Sequence, residues 1–566
     1  AVSAASISAR EGAARACEVE DAVEAVMARS LCGDWPTVKG HFRHRRLVHF
    51  APPRAQSTAM PENTHRTDAL IDWLQHAWPA ADVAAPIGAR LTRLMRQAIL
   101  DRVVPPAHRL PSTRTLAGAL GLARNTVVPV YEQLRAEGFV VAGQGSGTYV
   151  CRIAPDATPG VAPTSDAPLA QQTPLAFSRR GRRYHGHPLH EFWTRQPFCP
   201  GQFDFALFPQ RLWNRLQQRQ LRRADPTQLE PGEPGGAPAL RQAIAEHVRA
   251  TRGVRCAPDQ VIITDGTGES IDLVARLMCD PGDAVVMEDP GYWSATQVLS
   301  DHGLRLLPTP VDAHGLPVPV LRRGQRAPRM AYLTPSNQFP TGGVMPLARR
   351  LEWLQFAARH DTLLLEDDYD SEYRYEGAPF PSLQGQDGAG RVIYLGTFSK
   401  TVYPGIRVAF LVVPPGLQTV FADASADFYR DGDQIVQQVL ADFMREGHYA
   451  AHVRTLRREY GLRRDAMRQA LLQALPKEFA SGRLALVSGA RGVHLTLALP
   501  DAVDDRAVAR AAIARGVTAV PLSVYALRVR WKGLVLSFAA TPAAEIAALV
   551  ALLAPVLREA LEAPQR

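Results

Sequence analysis

From about residue 196 onward, short apolar runs recur between amphipathic stretches: QVIIT, DAVVME, MAYLT, TLLLED and RVIYLGT. Such runs, bounded by polar or glycine-containing breaks, suit strands buried on both faces. Strands alternating with helices predict an α/β domain, a mostly parallel sheet with crossover helices. In a sheet of that kind ligands bind at the C-terminal ends of the strands. Residues 410 to 566 mix both patterns and are expected to form a smaller α+β subdomain. At 566 residues the chain is also too long for one core, so a second domain is expected.

That second domain lies at 85–151. RLTRLMRQAIL has helical apolar spacing. In PSTRTLAGALG, Ser112 suits an N-cap and Gly121 a stop. RNTVVPVYEQLRAEG then reads as a further helix ending at Gly138. FVVAGQGSGTYVC reads as two strands around a glycine-rich turn. Two helices joined by a tight turn and followed by a β-wing make a winged helix-turn-helix, a DNA-binding layout. Arg124, Asn125 and Thr126 fall in the first turn of the second helix, where side chains reach base edges. Arg114 and the amides around Gln144 and Gly145 are candidates for phosphate contacts. Eight arginines from Arg90 to Arg135 outnumber Asp101, Glu132 and Glu137, so the unit is locally basic. A solvated helical hairpin with a basic face is the ordinary alternative for the same residues.

Residues 1–84 are expected to be an N-terminal extension. Met60 opens a stretch that reads more like a protein start, which makes 1–59 a tail or an over-extended start. Residues 152–195, rich in Pro, Ala and Thr, are expected to be a linker, and 196–566 the larger domain. The net charge of +9 favours an anionic partner. Six scattered cysteines form no C-x-x-C pair and no His/Cys cluster at metal-ligand spacing, which points to a reducing cytoplasm and no metal site. No apolar run is long enough to span a bilayer.

The stretch GTFSKTVYPGIRVAF carries the chemistry. The chain holds 64 basic residues, yet its lysines are Lys39, Lys400, Lys477 and Lys532 alone. Arginine supplies charge but does not replace lysine in a Schiff base, so Lys400 inside TFSKT stands out. A pyridoxal phosphate site needs an amine, an acid at the pyridine nitrogen, a donor at the phenolic oxygen and a phosphate cradle. Lys400 supplies the amine. Thr397, Ser399 and Arg407 suit the phosphate, as do the amides of Gly266, Thr267 and Gly268 where TDGTGES opens a helix. Asp367 in LLLEDDYDSEY is the acid, Tyr369 the phenolic donor, and Tyr292 in EDPGYW the residue to stack on the ring. Each piece taken alone has an ordinary reading as a turn, an exposed acidic edge or a core tyrosine. Their order and their placement at strand ends favour the joint reading.

Two resemblances bear on these motifs. LPSTRTLAGALGLARNTVVPVYEQLRAEGF resembles the GntR family of bacterial regulators. Residues 196 to 555, with TPSNQFPTGGVMPLARR, EDDYDSEYRY and GTFSKTVYPGIR in family order, look like a fold-type-I aminotransferase. The fusion resembles the MocR/GabR regulators, PdxR-like members included. The resemblance implies pyridoxal phosphate held by Lys400, with PLP itself or an amino compound as effector. It also implies double-stranded DNA as partner, and a head-to-tail homodimer in which each winged helix lies over the partner's cofactor domain.

Several positions depart from the pattern. Pro231 stands where family members carry a tyrosine that reaches the neighbouring subunit's phosphate, and Gly268 where a glutamine is usual. Phe339 replaces the asparagine at the phenolic oxygen, Val535 the arginine that grips a substrate carboxylate, and Ser294 an arginine of the GABA-sensing members. Pro129 interrupts the recognition helix. The expected function is a PLP-dependent transcription regulator controlling a nearby metabolic gene. The alternative is a working aminotransferase with an accessory DNA-binding domain.

Overall fold

A computed structural model describes residues 65–562 apart from 79–84, 144–146, 152–175, 179, 185–187, 224–231, 377–380, 490 and 530. The chain divides into two compact units, 1–173 and 174–566. The proposed tail 1–59, most of the linker, Pro231, Gln144 and Gly145 lie outside the described residues.

In the first unit, helices α1 (His65–Ala77), α2 (Ile87–Leu100), α3 (Thr113–Leu120) and α4 (Arg124–Ala136) precede strands β1 (Val140–Gly143) and β2 (Gly147–Val150). The strands pair antiparallel, Val140 opposite Val150, as a wing requires. Ser112 Oγ accepts the Thr115 amide at 3.0 Å, and Gly121 ends α3 with φ 65°. A left-handed φ of this kind is cheap only for glycine. Leu116, Val127, Val130 and Leu134 share one core with Leu91 and Met95, and Tyr131 OH donates to Pro111 O at 2.8 Å. Helix α1 joins that core through Leu70 and Leu74. The expected extension 1–84 is thus corrected at its end: DALIDWL repeats apolar residues at helical spacing, and burying them makes α1 part of the folded unit. Pro129 sits at the sixth position of an unbroken α4, on its exposed side. Lacking an N–H, it leaves the exposed Asn125 carbonyl without its usual helical donor.

Near the start of the second unit, after a single helical turn at Gly181–Tyr184, lies a short helix, α5 (Pro188–Phe192), whose Leu189 and Phe192 are buried in the large core. The linker expected over 152–195 therefore ends earlier, because these apolar side chains find a partner surface. The central seven-stranded sheet has the order β3-β9-β8-β7-β6-β4-β5. Its strands are β3 (Val261–Thr264), β4 (Ala284–Asp289), β5 (Arg305–Pro310), β6 (Met330–Leu333), β7 (Leu363–Asp368), β8 (Val392–Thr397) and β9 (Ala409–Val412). Five of them, β5, β4, β6, β7 and β8, pair in parallel, while β9 runs antiparallel to both β8 and β3. The five apolar runs of the sequence are β3, β4, β6, β7 and β8, each buried along its whole length. Toward the C-terminus, β10 (Ala485–Leu486), β11 (His494–Leu499), β12 (Val520–Pro521) and β13 (Lys532–Ser537) form an antiparallel sheet in the order β10-β11-β13-β12, the expected smaller subdomain. Among the described residues no helix is long and apolar enough to cross a membrane.

Candidate cofactor site

Five strand ends converge on one pocket. After β3, Asp265 leads to Gly266, which begins the helix α6 (Thr267–Met278). Tyr292 follows β4, Thr334 follows β6, and Asp367 and Tyr369 lie at the end of β7. Thr397 closes β8, with Ser399 and Lys400 in the turn beyond it. From Gly266 to Lys400, these residues line a cavity of about 310 Å³ together with Arg407, Thr267 and Gly268. That volume falls at the low end of the range typical of small-molecule sites. The ten residues expected at the cofactor are thus brought together.

The acidic run in β7 sorts itself by the two-residue period of a strand. Asp367 points into the pocket, while Glu366 and Asp368 point to the opposite face. There Asp368 Oδ2 accepts from Arg252 Nε at 2.6 Å, Tyr394 OH at 2.7 Å and Ser371 Oγ at 3.0 Å. This buried cluster fixes the strand end from behind. On the pocket side Asp367 Oδ2 accepts a hydrogen bond from Tyr332 OH, and Oδ1 is buried with no hydrogen-bond partner. Burial, with Asp368 and Glu288 close by, pushes the Asp367 carboxyl up to about 7, against the opposing Tyr332 hydrogen bond. A buried carboxylate oxygen with nothing to accept from is what a protonated ring nitrogen would complete.

Burial pulls the Lys400 ammonium below its ordinary value, against the attraction of Asp370 and Asp367. A larger share of the side chain is then the neutral amine that attacks an aldehyde. Tyr369 OH accepts from Asn337 Nδ2 at 3.0 Å, and Asn337 is held in turn by Asp370 at 2.9 and 3.1 Å. Tyr369 also hydrogen-bonds the Asp370 carboxylate, so Asn337 and Asp370 together hold its hydroxyl at the pocket wall. Thr397 Oγ1 lies 3.1 Å from Ser399 Oγ and accepts the Ser399 amide at 3.2 Å. Gly266 has φ 127°, and a Cβ there would stand 3.2 Å from Arg407 Nη1. The missing side chain lets the guanidinium lie against the start of α6, next to the amides of its first turn. Anions bind well at such a place. Gly266→Ala therefore meets both backbone strain and a displaced Arg407, and cofactor affinity is expected to fall by about tenfold or more. A spectroscopic cofactor titration checks this, and an unchanged affinity would remove Arg407 and Gly266 from the phosphate cradle.

Phe339 stands at the centre of an aromatic wall. Its ring meets Tyr292 at 6.1 Å, Tyr369 at 6.0 Å, His494 at 5.5 Å and Tyr525 at 5.1 Å, all near edge-to-face. Val535 is fully buried within β13, opposite Thr496 and Val520. Gly268 faces open space toward Ser294, whose Oγ would be 3.9 Å from an added Cβ. Sequence reasoning missed Tyr332, Asn337, His494 and Tyr525. For Tyr332 there was a signal, a lone hydroxyl in the otherwise apolar run MAYL. Tyr525 arrives through a long-range tether. Asp289 at the end of β4 accepts the amides of Leu527, Arg528 and Val529 at 2.8, 2.8 and 3.1 Å, and Gly291 N donates to Tyr525 O at 3.1 Å.

In the first unit Arg114, Arg124 and Asn125 are exposed and Thr126 is half-buried, with Arg124, Asn125 and Thr126 on the first turn of α4.

The family model for class I and II aminotransferases matches residues 198–553, and that for bacterial regulatory proteins of the gntR family matches residues 88–150. The chain is 38% identical over 443 residues to the probable rhizopine catabolism regulatory protein MocR of Rhizobium meliloti, covering 78% of this chain and 87% of that one. The chain belongs to the MocR type of GntR regulators. It is 30% identical over 439 residues to the pyridoxine biosynthesis transcriptional regulator PdxR of Corynebacterium glutamicum, covering 78% and 88% of the two chains. Among solved structures it resembles the α-aminoadipate aminotransferase LysN of Thermus thermophilus, solved with N-(5'-phosphopyridoxyl)-L-leucine. That match has a TM-score of 0.62 and 29% identity, and covers 68% of this chain and 98% of that one. Aminotransferases of this fold bind pyridoxal phosphate. The unpartnered Asp367 Oδ1, the buried Lys400 amine and the Gly266–Arg407 cradle of this MocR-type regulator fit that cofactor.

Proposed function

We propose that the aminotransferase-like unit is the sensor and the winged helix the output. PLP or an amino compound would be read at Lys400 and would set how the protein, as a cytoplasmic homodimer, holds DNA beside a metabolic gene. When bound, the cofactor supplies an aldehyde carbon open to attack by a primary amine. Lys400 offers the buried amine for attachment. Asp367 holds a proton at the ring nitrogen, Tyr369 donates to the phenolic oxygen, and Arg407, Thr397, Ser399 and the first amides of α6 take the phosphate. Tyr292, at the edge of the aromatic wall, is positioned to pack on the ring. Regulation follows only if the ligand binds one DNA-binding arrangement better than another.

The observation that carries this reading is Lys400 and Asp367 in one pocket, on a chain that also carries a GntR-type reader. Among the described lining residues the cations are Lys400 and Arg407, and neither is left over to grip a substrate carboxylate. Purified protein is tested on promoter fragments with and without pyridoxal phosphate and with primary amines. DNA binding indifferent to all of them removes the sensing role. Lys400 and Asp367 would equally serve a working aminotransferase, and multiple-turnover transamination of an ordinary amino acid and a 2-oxo acid would favour that second reading.

The reader makes its own prediction. Arg124→Ala is expected to cost about 1–3 kcal/mol of specific DNA binding and to relax sequence preference, as for a lost base-edge contact. Arg114→Ala should weaken all sequences alike and reduce the salt slope by about one. Fluorescence anisotropy across a salt series separates the two, and unchanged slopes and affinities would place these side chains off the DNA.

A further inference from the structure

We propose that the amine recognised in this pocket carries a hydroxyl group, and no carboxylate, on the side facing His494 and Ser537. This rests on the sensor reading above and specifies its ligand. His494 on β11 and Ser537 on β13 are directly opposed in the antiparallel ladder, and both line the pocket. Opposed residues project side by side from one face of the sheet.

The hydrogens of both are already engaged. His494 Nε2 lies 3.1 Å from the Pro340 carbonyl oxygen, which only accepts, so the ring N–H is on Nε2 and the lone pair on Nδ1. Burial, with the Lys400 charge nearby, draws His494 down to about 4, so the ring is neutral at physiological pH. Ser537 Oγ donates to Val493 O at 3.1 Å and accepts weakly from Ala539 N at 3.4 Å. These two side chains therefore offer ligands hydrogen-bond acceptors and no donor.

Two residues back on β13, Val535 is buried in the core and supplies no charge. Lys400 is the attaching amine, and Arg407 lies against Gly266 at the phosphate cradle. A carboxylate placed at this wall would face lone pairs, with no hydrogen to accept and no cation to offset its lost water. A hydroxyl donates its proton to Nδ1 or Oγ and escapes that penalty. The surrounding rings cover the carbon skeleton, Trp193 against Trp293 at 6.4 Å and Phe339 against Tyr525 at 5.1 Å. A small amino alcohol combines these requirements.

The test uses full-length protein loaded with pyridoxal phosphate and three amines on one skeleton: alaninol, alanine and isopropylamine. They differ at a single carbon, which bears CH2OH, COO⁻ or CH3. Binding is read from the change in the cofactor's visible spectrum and by calorimetry. Alaninol is expected to bind about tenfold more tightly than isopropylamine, the worth of one good hydrogen bond, and at least as much more tightly than alanine. Ser537→Ala should erase the alaninol advantage while leaving isopropylamine unchanged. His494→Phe, which keeps a ring but has no lone pair, provides the same readout if the serine variant does not fold. Alanine binding as tightly as alaninol overturns the proposal, as does a full alaninol advantage in both variants. Failure of the sensor reading itself looks different: no covalent cofactor forms on Lys400 in the wild-type protein.

Discussion

Lys400→Ala is expected to lose covalent cofactor attachment completely. Borohydride reduction of the wild-type protein with pyridoxal phosphate should add one phosphopyridoxyl group to the intact mass, on the peptide containing Lys400. The variant should gain nothing. Lys477 and Lys532 lie outside the pocket and do not substitute for it. Lys400→Arg should fail as completely, because a guanidinium stays protonated and forms no stable imine. The phosphate cradle and Asp367 are untouched, so the variant keeps weaker, non-covalent binding of the vitamer. Basal DNA affinity should persist, since the winged helix folds around its own core. What disappears is the response of DNA binding to the vitamer or to amines. A variant whose DNA binding still responds would show that sensing does not pass through the lysine.

Asp367→Asn should separate two quantities that usually move together. Cofactor affinity is expected to drop by about 3 kcal/mol, roughly two orders of magnitude, as for truncating one member of a buried charge pair. Stability of the cofactor-free protein should move the other way at neutral and higher pH. The folded carboxyl stands at about 7, above the ordinary value near 4 that it has in an unfolded chain. A folded value above the unfolded one means that the contribution is fully present below about 4. It is lost as pH rises toward 7 and beyond, where burying the charge is costly. The asparagine does not ionise, so the difference in melting temperature, variant minus wild type, should grow in the variant's favour from about pH 5 to about pH 8. Glu366, also raised to about 7 by burial, is common to both proteins and cancels in the comparison, whereas Glu288 loses a like charge beside it in the variant, which adds to the same trend. A purely structural role for Asp367 would lower stability across this range and leave cofactor affinity nearly intact.

The strands and the pocket residues were legible because each rests on local sequence. An apolar run ends, a glycine or acid follows, and the parallel arrangement brings those ends together. What sets Asp367 apart from Glu366 and Asp368, the alternation of the strand, shows only once it is known which face of β7 meets the pocket. What escaped depends on register between distant segments. His494 meets Ser537 only through the β11–β13 ladder, and Tyr525 reaches the site only because Asp289 collects three amides from a segment 238 to 240 residues further along the chain. Helices α1 and α5 were assigned to an extension and a linker because composition around them is polar or proline-rich. Their few apolar residues gain structure only from the cores that receive them.

The Asp289 clamp has a mechanical consequence. One carboxylate stitches the rim of the large sheet to the loop bearing Tyr525, so the cavity's ceiling cannot lift independently of its floor. A guest that pushes the tyrosine ring aside must drag the end of β4, and with it the turn leading to Tyr292, or else break three amide contacts at once. A guest seated against the tyrosine ring therefore meets a wall anchored to the large sheet rather than one loose loop.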